Sequence, residues 1–135
     1  DYVVTTSSYS TSSWQMVTLV YDGSLTAANR LKAYFNGAQE GTSQSTAASS
    51  YTQTTRLSIG KQGNSGQAFY GGDMDEASFW NRALSASEIT ALYNSGSGAT
   101  PQASGISLSG LKAYYNFEQT SGNLINQAIP WSQVN

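Results

Sequence analysis

Residues 14–23 read WQMVTLVYDG, and this stretch decides the fold class. The segment up to Tyr21 is β-prone, uncharged and free of Gly and Pro. Alternation puts one set of side chains on one face of a strand, namely Trp14, Met16, Thr18 and Val20. Both faces are largely apolar, which predicts a central strand with Trp14 in the core. Asp22-Gly23 then ends the strand with a turn signal.

Further strand patterns follow on the C-terminal side. RLKAYF at 30–35 alternates and runs into Asn36-Gly37, whose residues accept the positive φ values of a two-residue hairpin turn, so 38–42 should be the partner strand. Strands are also predicted at 56–60, 74–80 and 111–118. The predicted fold is therefore all-β, an antiparallel jelly-roll-like β-sandwich with one short helix.

The helix is predicted at about 86–94. Ser85 and Glu88 have the spacing of a capping box, and Leu84 with Ile89 that of a hydrophobic staple. Gly96 is the expected stop signal.

Composition excludes several classes of function. Only 10% of residues are charged and the net charge is −2, so there is no basic patch for nucleic acid or for an anionic membrane. No stretch is apolar enough for membrane insertion. The absence of Cys and His removes thiolate chemistry and the commonest general base. A weakly charged surface rich in Ser and Thr favours an extracellular, cell-surface or virion-surface location.

Four motifs in chain order resemble the laminin-G-like group of the concanavalin-A-like lectin/glucanase superfamily. They are Trp14 with the Tyr-Asp-Gly at 21–23, LKAYFNG at 31–37, Leu57 to Gly60, and DEASFWNRALSASEITALY at 75–93. The resemblance implies that residues 1–97 form the C-terminal part of such a sandwich and that 98–109 are a linker. Residues 110–135 then carry a strand similar to the first strand of the family's domain.

That displaced strand leaves two arrangements open. It packs on its own domain as a permuted first strand, or it packs on a neighbouring copy. The second arrangement predicts a head-to-tail homo-oligomer. The chain is then one permuted domain or a piece of a tandem array.

Acidic residues give one metal hypothesis and argue against catalysis. Related glucanases use acids at alternate positions of one strand, whereas Glu76 faces away from Asp73 and Asp75. We therefore expect no enzyme activity. Asp75 should share the core face with Ala77 and needs a partner there, either a structural Ca²⁺, backbone N–H groups or Arg82. By analogy with the family, Glu118 is a second Ca²⁺ ligand candidate.

Exposed aromatic rings are the candidates for ligand binding. Tyr51, Tyr70 and Trp131 lie in or beside loops, where a ring is available to stack on a sugar, although each is also explained as a loop anchor. The leading hypothesis is a non-catalytic extracellular module that recognises carbohydrate. The alternative is a structural or adhesive repeat in a cell-surface, filament or virion assembly, with neighbouring protein subunits as partners.

Overall fold

The computed structural model describes residues 2–4, 12–40, 42–44, 59–60 and 69–128. Within these residues lie the strands β1 (Tyr2–Val4), β2 (Val17–Tyr21), β3 (Leu31–Phe35), β4 (Ala38–Glu40), β5 (Thr42–Gln44), β6 (Ala77–Trp80) and β7 (Leu111–Tyr115). The helices are α1 (Ala27–Arg30), α2 (Ala86–Tyr93) and a 3₁₀ helix at Asn94–Gly96.

The strands form three antiparallel sheets. β1 pairs with β5, β2 pairs with β3 and β3 with β4, and β6 pairs with β7. Antiparallel sheets with a minor helical part confirm the predicted fold class in its coarser form. The jelly-roll order of the strands stays a prediction.

The helix count was wrong. The described residues contain α1 and a 3₁₀ helix in addition to α2, so they include more than one short helix. α1 is a single turn in which the Asn29 N–H donates to the Thr26 carbonyl at 2.8 Å and the Asn29 side chain donates to the Thr26 hydroxyl at 3.0 Å. Such local side-chain bonds stabilise one turn without the hydrophobic periodicity that signals a longer helix.

The Asn-Gly hairpin is confirmed. Asn36 and Gly37 have φ values of 51° and 81°, and they connect β3 to β4. A Cβ on Gly37 would lie 3.0 Å from the Tyr93 ring, which gives a second reason for glycine. Asn36 also accepts from the Met16 N–H at 3.0 Å and donates its own N–H to the Met16 carbonyl at 2.9 Å, which ties the start of β2 to the turn.

The central position predicted for β2 is wrong within the described sheet. β2 is its edge strand, with β3 as the neighbour. Val20 is buried, but Val17, Leu19 and Tyr21 on the opposite face are 56, 70 and 51% exposed. Trp14, predicted to lie in the core, is 66% exposed, because it precedes the strand and does not follow its alternation.

The capping box and the hydrophobic staple are confirmed. The Ser85 hydroxyl accepts from the Glu88 N–H, and the Glu88 carboxylate accepts from the Ser85 N–H at 2.8 Å. Leu84 and Ile89 are both buried. α2 ends at Tyr93, before the predicted Gly96, because Asn94 adopts the left-handed conformation that stops a helix.

The core lies between β2, β3 and α2. Its buried members are Val20, Tyr34, Leu84, Ile89 and Leu92, with Met16, Trp80, Ala83 and Ile106 packed against them. Ile106 lies in the predicted linker, and Pro101 in the same segment is buried. Part of the segment between α2 and β7 therefore packs against the folded chain.

The predicted strand at 111–118 is present over Leu111–Tyr115 and pairs with β6 of its own chain. Alternation predicts that Leu111, Ala113, Tyr115 and Phe117 form the inward face, and Tyr114 departs from this prediction. Tyr114 is buried to 3% exposure, whereas Tyr115 and Phe117 are only half-buried. Tyr114 lies opposite Ser78, and its hydroxyl reaches the residues that precede β6. The division of the chain at 97 and 109 stays a prediction.

Candidate functional site

Two neighbouring aromatic rings are exposed on the approach to β6. Phe69 is 71% and Tyr70 62% exposed. The Tyr70 N–H donates to the Gly60 carbonyl at 2.8 Å, which anchors the backbone beneath the ring. A Cβ on Gly72 would lie 2.9 Å from the Tyr70 hydroxyl oxygen, so the missing side chain lets the loop turn tightly against the ring. The backbone of Tyr70 is therefore anchored, and its ring is accessible to a ligand.

The acidic residues that follow lie outside the strand. β6 begins at Ala77, three residues later than the predicted strand at 74–80, and Glu76 has a φ of 55°. That left-handed residue interrupts the extended alternation on which the orientation of Asp75 was predicted. Asp75 is exposed, and its carboxylate accepts from the Glu76 N–H at 2.9 Å. The expectation that Asp75 lies on the core face is therefore wrong.

Glu76 has a partner that lies far away in the sequence. The buried Tyr114 hydroxyl donates to the Glu76 carboxylate at 2.5 Å. Burial raises the pKa of Tyr114 well above its ordinary value, and the bond to Glu76 raises it further. The charges of Asp75 and Glu118 act in the same direction. Asp75, Glu76 and Glu118 therefore lie close enough to one hydroxyl to affect its titration.

The two predicted Ca²⁺ ligands, Asp75 and Glu118, both act on the Tyr114 hydroxyl, but they do not form a complete Ca²⁺ site. Ca²⁺ needs six to eight oxygen ligands. Within the described ranges, no three His, Cys, Asp or Glu side chains are placed to hold a metal. Asp75 and Glu118 are both exposed, so the burial argument for a cation at Asp75 no longer applies. Ca²⁺ binding stays a prediction that rests on the family resemblance.

Arg82, named as an alternative partner of Asp75, is engaged elsewhere. Its guanidinium forms a salt bridge with Glu88, with bonds of 2.7 and 3.0 Å. It also donates to the carbonyls of Ser107 at 2.8 Å and Ser109 at 2.7 Å, and it stacks 5.2 Å from the Trp80 ring centre. Arg82 thereby joins the start of α2 to the segment that leads into β7.

Of the other ligand candidates, Tyr51 and Trp131 lie outside the described residues. Phe69 was missed, although two adjacent aromatic residues before Gly71-Gly72 were a visible signal of an exposed ring pair. The Glu76–Tyr114 bond was also missed. No local pattern signals it, because it joins positions 38 apart in sequence.

Across the parts of the chain that the structure describes, no helix combines the length and apolar character that a bilayer crossing requires. A laminin-G-like family model, Laminin_G_3, described as the concanavalin A-like lectin/glucanases superfamily, matches residues 1–90. No curated protein and no solved structure gives a significant match.

Proposed function

We propose, because this chain belongs to the laminin-G-like family of the concanavalin A-like lectin/glucanases superfamily, that it is a non-catalytic extracellular module that recognises carbohydrate. Domains of this superfamily are commonly binding modules. We assign recognition to residues 69–76, called here the aromatic loop, with Tyr70 as the stacking surface. The observation that carries the proposal is the exposure of two adjacent aromatic rings, Phe69 and Tyr70, next to exposed carboxylates.

That combination matches the two surfaces of a sugar ring. The C–H face of a pyranose is apolar and stacks on an aromatic ring, whereas its hydroxyls donate to acceptors such as carboxylates. Asp73 and Asp75 are exposed on the same loop, where their carboxylates would accept such hydroxyls. Two large rings left in water are unfavourable in the free protein, so covering them stabilises a complex.

Catalysis is not part of the proposal. Retaining glycosidases hold two carboxyl groups about 5–5.5 Å apart across the scissile bond, one as acid and one as nucleophile. Here Asp73, Asp75 and Glu76 precede β6, so no strand holds them on one face, and Glu76 accepts the Tyr114 hydroxyl hydrogen. One Glu76 oxygen is thus engaged by the Tyr114 hydroxyl.

A structural Ca²⁺ remains part of the proposal through the family resemblance alone. Asp75 and Glu118 would supply two of its oxygen ligands, and the ion would neutralise negative charge near Tyr114. If Ca²⁺ binds the folded chain, EDTA should lower the melting temperature and added Ca²⁺ should restore it. An Asp75→Asn variant should lose the Ca²⁺ response. A melting temperature that changes with neither EDTA nor Ca²⁺ would contradict Ca²⁺ binding.

The aromatic loop can be tested directly in solution. Titration with a panel of neutral and acidic oligosaccharides should shift the backbone amide NMR signals of residues 69–76 before those elsewhere. Stacking contributes about 0.5–1.5 kcal/mol beyond area burial, so Tyr70→Ala should weaken binding about two- to tenfold or more. Trp14→Ala is the matched control, since Trp14 is similarly exposed but lies outside the loop. Equal losses in both variants would contradict the assignment to Tyr70.

The second candidate function is a structural or adhesive repeat that binds neighbouring protein subunits in a cell-surface, filament or virion assembly. One observation favours it. β2 is an edge strand of its described sheet, and the apolar side chains of its outer face are exposed. Such an edge is a template for pairing with another chain.

A further inference from the structure

Within the described residues, β2 pairs with a neighbouring strand on one side of its backbone only. The Asp22 N–H donates to the Arg30 carbonyl at 2.8 Å, and the Asn36 N–H donates to the Met16 carbonyl at 2.9 Å. These bonds identify the even-numbered residues as those that bond to β3. The N–H and C=O groups of Val17, Leu19 and Tyr21 therefore point away from β3, and nothing in the described part of the chain pairs with them.

This free edge lacks the features that normally prevent pairing. Natural edge strands carry charges, Pro or bulges, or they are covered. Residues 12–21 contain no charged residue, no Pro and no Gly. The β2–β3 register continues without a bulge from Val17 to Tyr21. Val17, Leu19 and Tyr21, whose backbone groups point away from β3, also have exposed apolar side chains. The same residues therefore offer both backbone hydrogen bonds and apolar surface to a partner.

We propose that β2 is a self-association surface, at which a second copy of this chain pairs its own β2 antiparallel to the first. In the pairing that we infer, Leu19 lies opposite the Leu19 of the second copy on a two-fold axis. Val17 then lies opposite Tyr21 on either side. The inference rests on the second candidate function in its general form, contact with a protein neighbour.

The hydrogen-bond pattern fits this register. Antiparallel partners alternate between bonded and non-bonded pairs, and a bonded pair exchanges two bonds. Val17, Leu19 and Tyr21 all have outward-pointing groups, so a two-fold at Leu19 makes each opposed pair a bonded pair. The same symmetry aligns Val17, Leu19 and Tyr21 of both copies on one face, where they form apolar cross-strand pairs. Two three-stranded sheets would thereby join into one.

Charge favours a second copy as the occupant. A strand that pairs with itself across a two-fold axis meets its own residues, so any charge on it would face a like charge. β2 carries none, and the net charge of −2 keeps the repulsion between whole molecules small. Pairing at β2 also leaves the β6–β7 pair within each chain intact.

Sedimentation velocity over a concentration series tests the surface. Wild type should shift from monomer to dimer as concentration rises, and Leu19→Lys should stay monomeric because it places two like charges at the axis. Gln102→Lys makes the same charge change at an exposed loop position and should dimerise like wild type. Leu19 is 70% exposed, so Leu19→Lys should keep the melting temperature of the monomer. Wild type that stays monomeric throughout, or Leu19→Lys that dimerises, overturns the proposal.

A second variant tests the register. Bonded antiparallel pairs have Cα atoms about 5.5 Å apart, within disulfide range. The chain has no Cys, so Leu19→Cys, oxidised by copper phenanthroline and oxygen, should give a covalent dimer, and Gln102→Cys should not. A non-covalent dimer that fails to cross-link through Leu19→Cys contradicts the register. Titration of Leu19→Lys with sugar separates a failure of self-association from a failure of carbohydrate binding. The aromatic loop is intact in this variant, so it should bind sugar as wild type does.

Discussion

Glu88 lies where three parts of the chain meet. One carboxylate accepts from the Ser85 N–H at the start of α2 and from the guanidinium of Arg82. Arg82 in turn holds the carbonyls of Ser107 and Ser109. The bond to Arg82, followed by that to the Ser85 N–H, lowers the pKa of Glu88 from 4.5 to about 2. A single charged pair therefore connects the helix cap to the segment before β7.

This pKa shift predicts a pH dependence of stability. The folded pKa of Glu88 lies below the unfolded value, so the unfolded state binds the proton at higher pH. Its contribution to the free energy of unfolding should be complete above about pH 4.5 and should be lost as pH falls towards 2. Urea unfolding as a function of pH measures this loss. Glu88→Gln should be less stable than wild type near neutral pH and should lose less stability on acidification; identical pH profiles would contradict the assignment.

At the scale of elements, the sequence predicts features that depend on residues close together in the chain, such as caps and turns. It does not predict which strands pair. The Ser85 cap and the Asn36-Gly37 turn are correct because each depends on residues at most a few positions apart. The edge position of β2 and the exposed Asp75 were not predicted. The first depends on which strands pair, and the second on the left-handed backbone of Glu76, a conformation that a non-glycine residue adopts only at a cost.

The cap of α2 gives the prediction at this scale. Ser85→Ala removes the hydroxyl that accepts from the Glu88 N–H, so the free energy of unfolding should fall by about 1 kcal/mol. Thermal unfolding followed by circular dichroism measures the change. Ser87 is unsuitable as the control, because its hydroxyl lies 3.0 Å from the Ser85 hydroxyl. Ser97→Ala is the control, because Ser97 is exposed and lies beyond the end of α2. A melting curve for Ser85→Ala that coincides with that of Ser97→Ala would refute the capping role.

At the scale of the whole molecule, the folded chain extends beyond the segment that matches the family model. The match covers residues 1–90, whereas β7 begins at Leu111 and supplies the strand partner of β6. The buried Tyr114 hydroxyl donates to Glu76 at the end of the aromatic loop, and Arg82 binds the backbone just before β7. The C-terminal segment is therefore bonded to the matched part on both sides of β6.

Removal of residues 109–135 should accordingly be severe. β6 would lose its described partner, Glu76 would lose the Tyr114 hydroxyl, and Arg82 would lose the Ser109 carbonyl. Loss of a buried aromatic side chain alone costs about 3–5 kcal/mol, a large part of the stability of a domain this size. We expect the shortened chain to lack a cooperative urea transition. A cooperative transition with the wild-type midpoint would show that β7 is dispensable.

The proposed carbohydrate function depends on whether the aromatic loop selects a sugar, and a glycan array measures this most directly. Wild type, Tyr70→Ala and Trp14→Ala should be compared at equal folded concentration. We predict that wild type and Trp14→Ala bind the same glycans and that Tyr70→Ala loses most of that signal. Absence of glycan binding by the wild-type chain, or full binding by Tyr70→Ala, would contradict the proposed function at this loop.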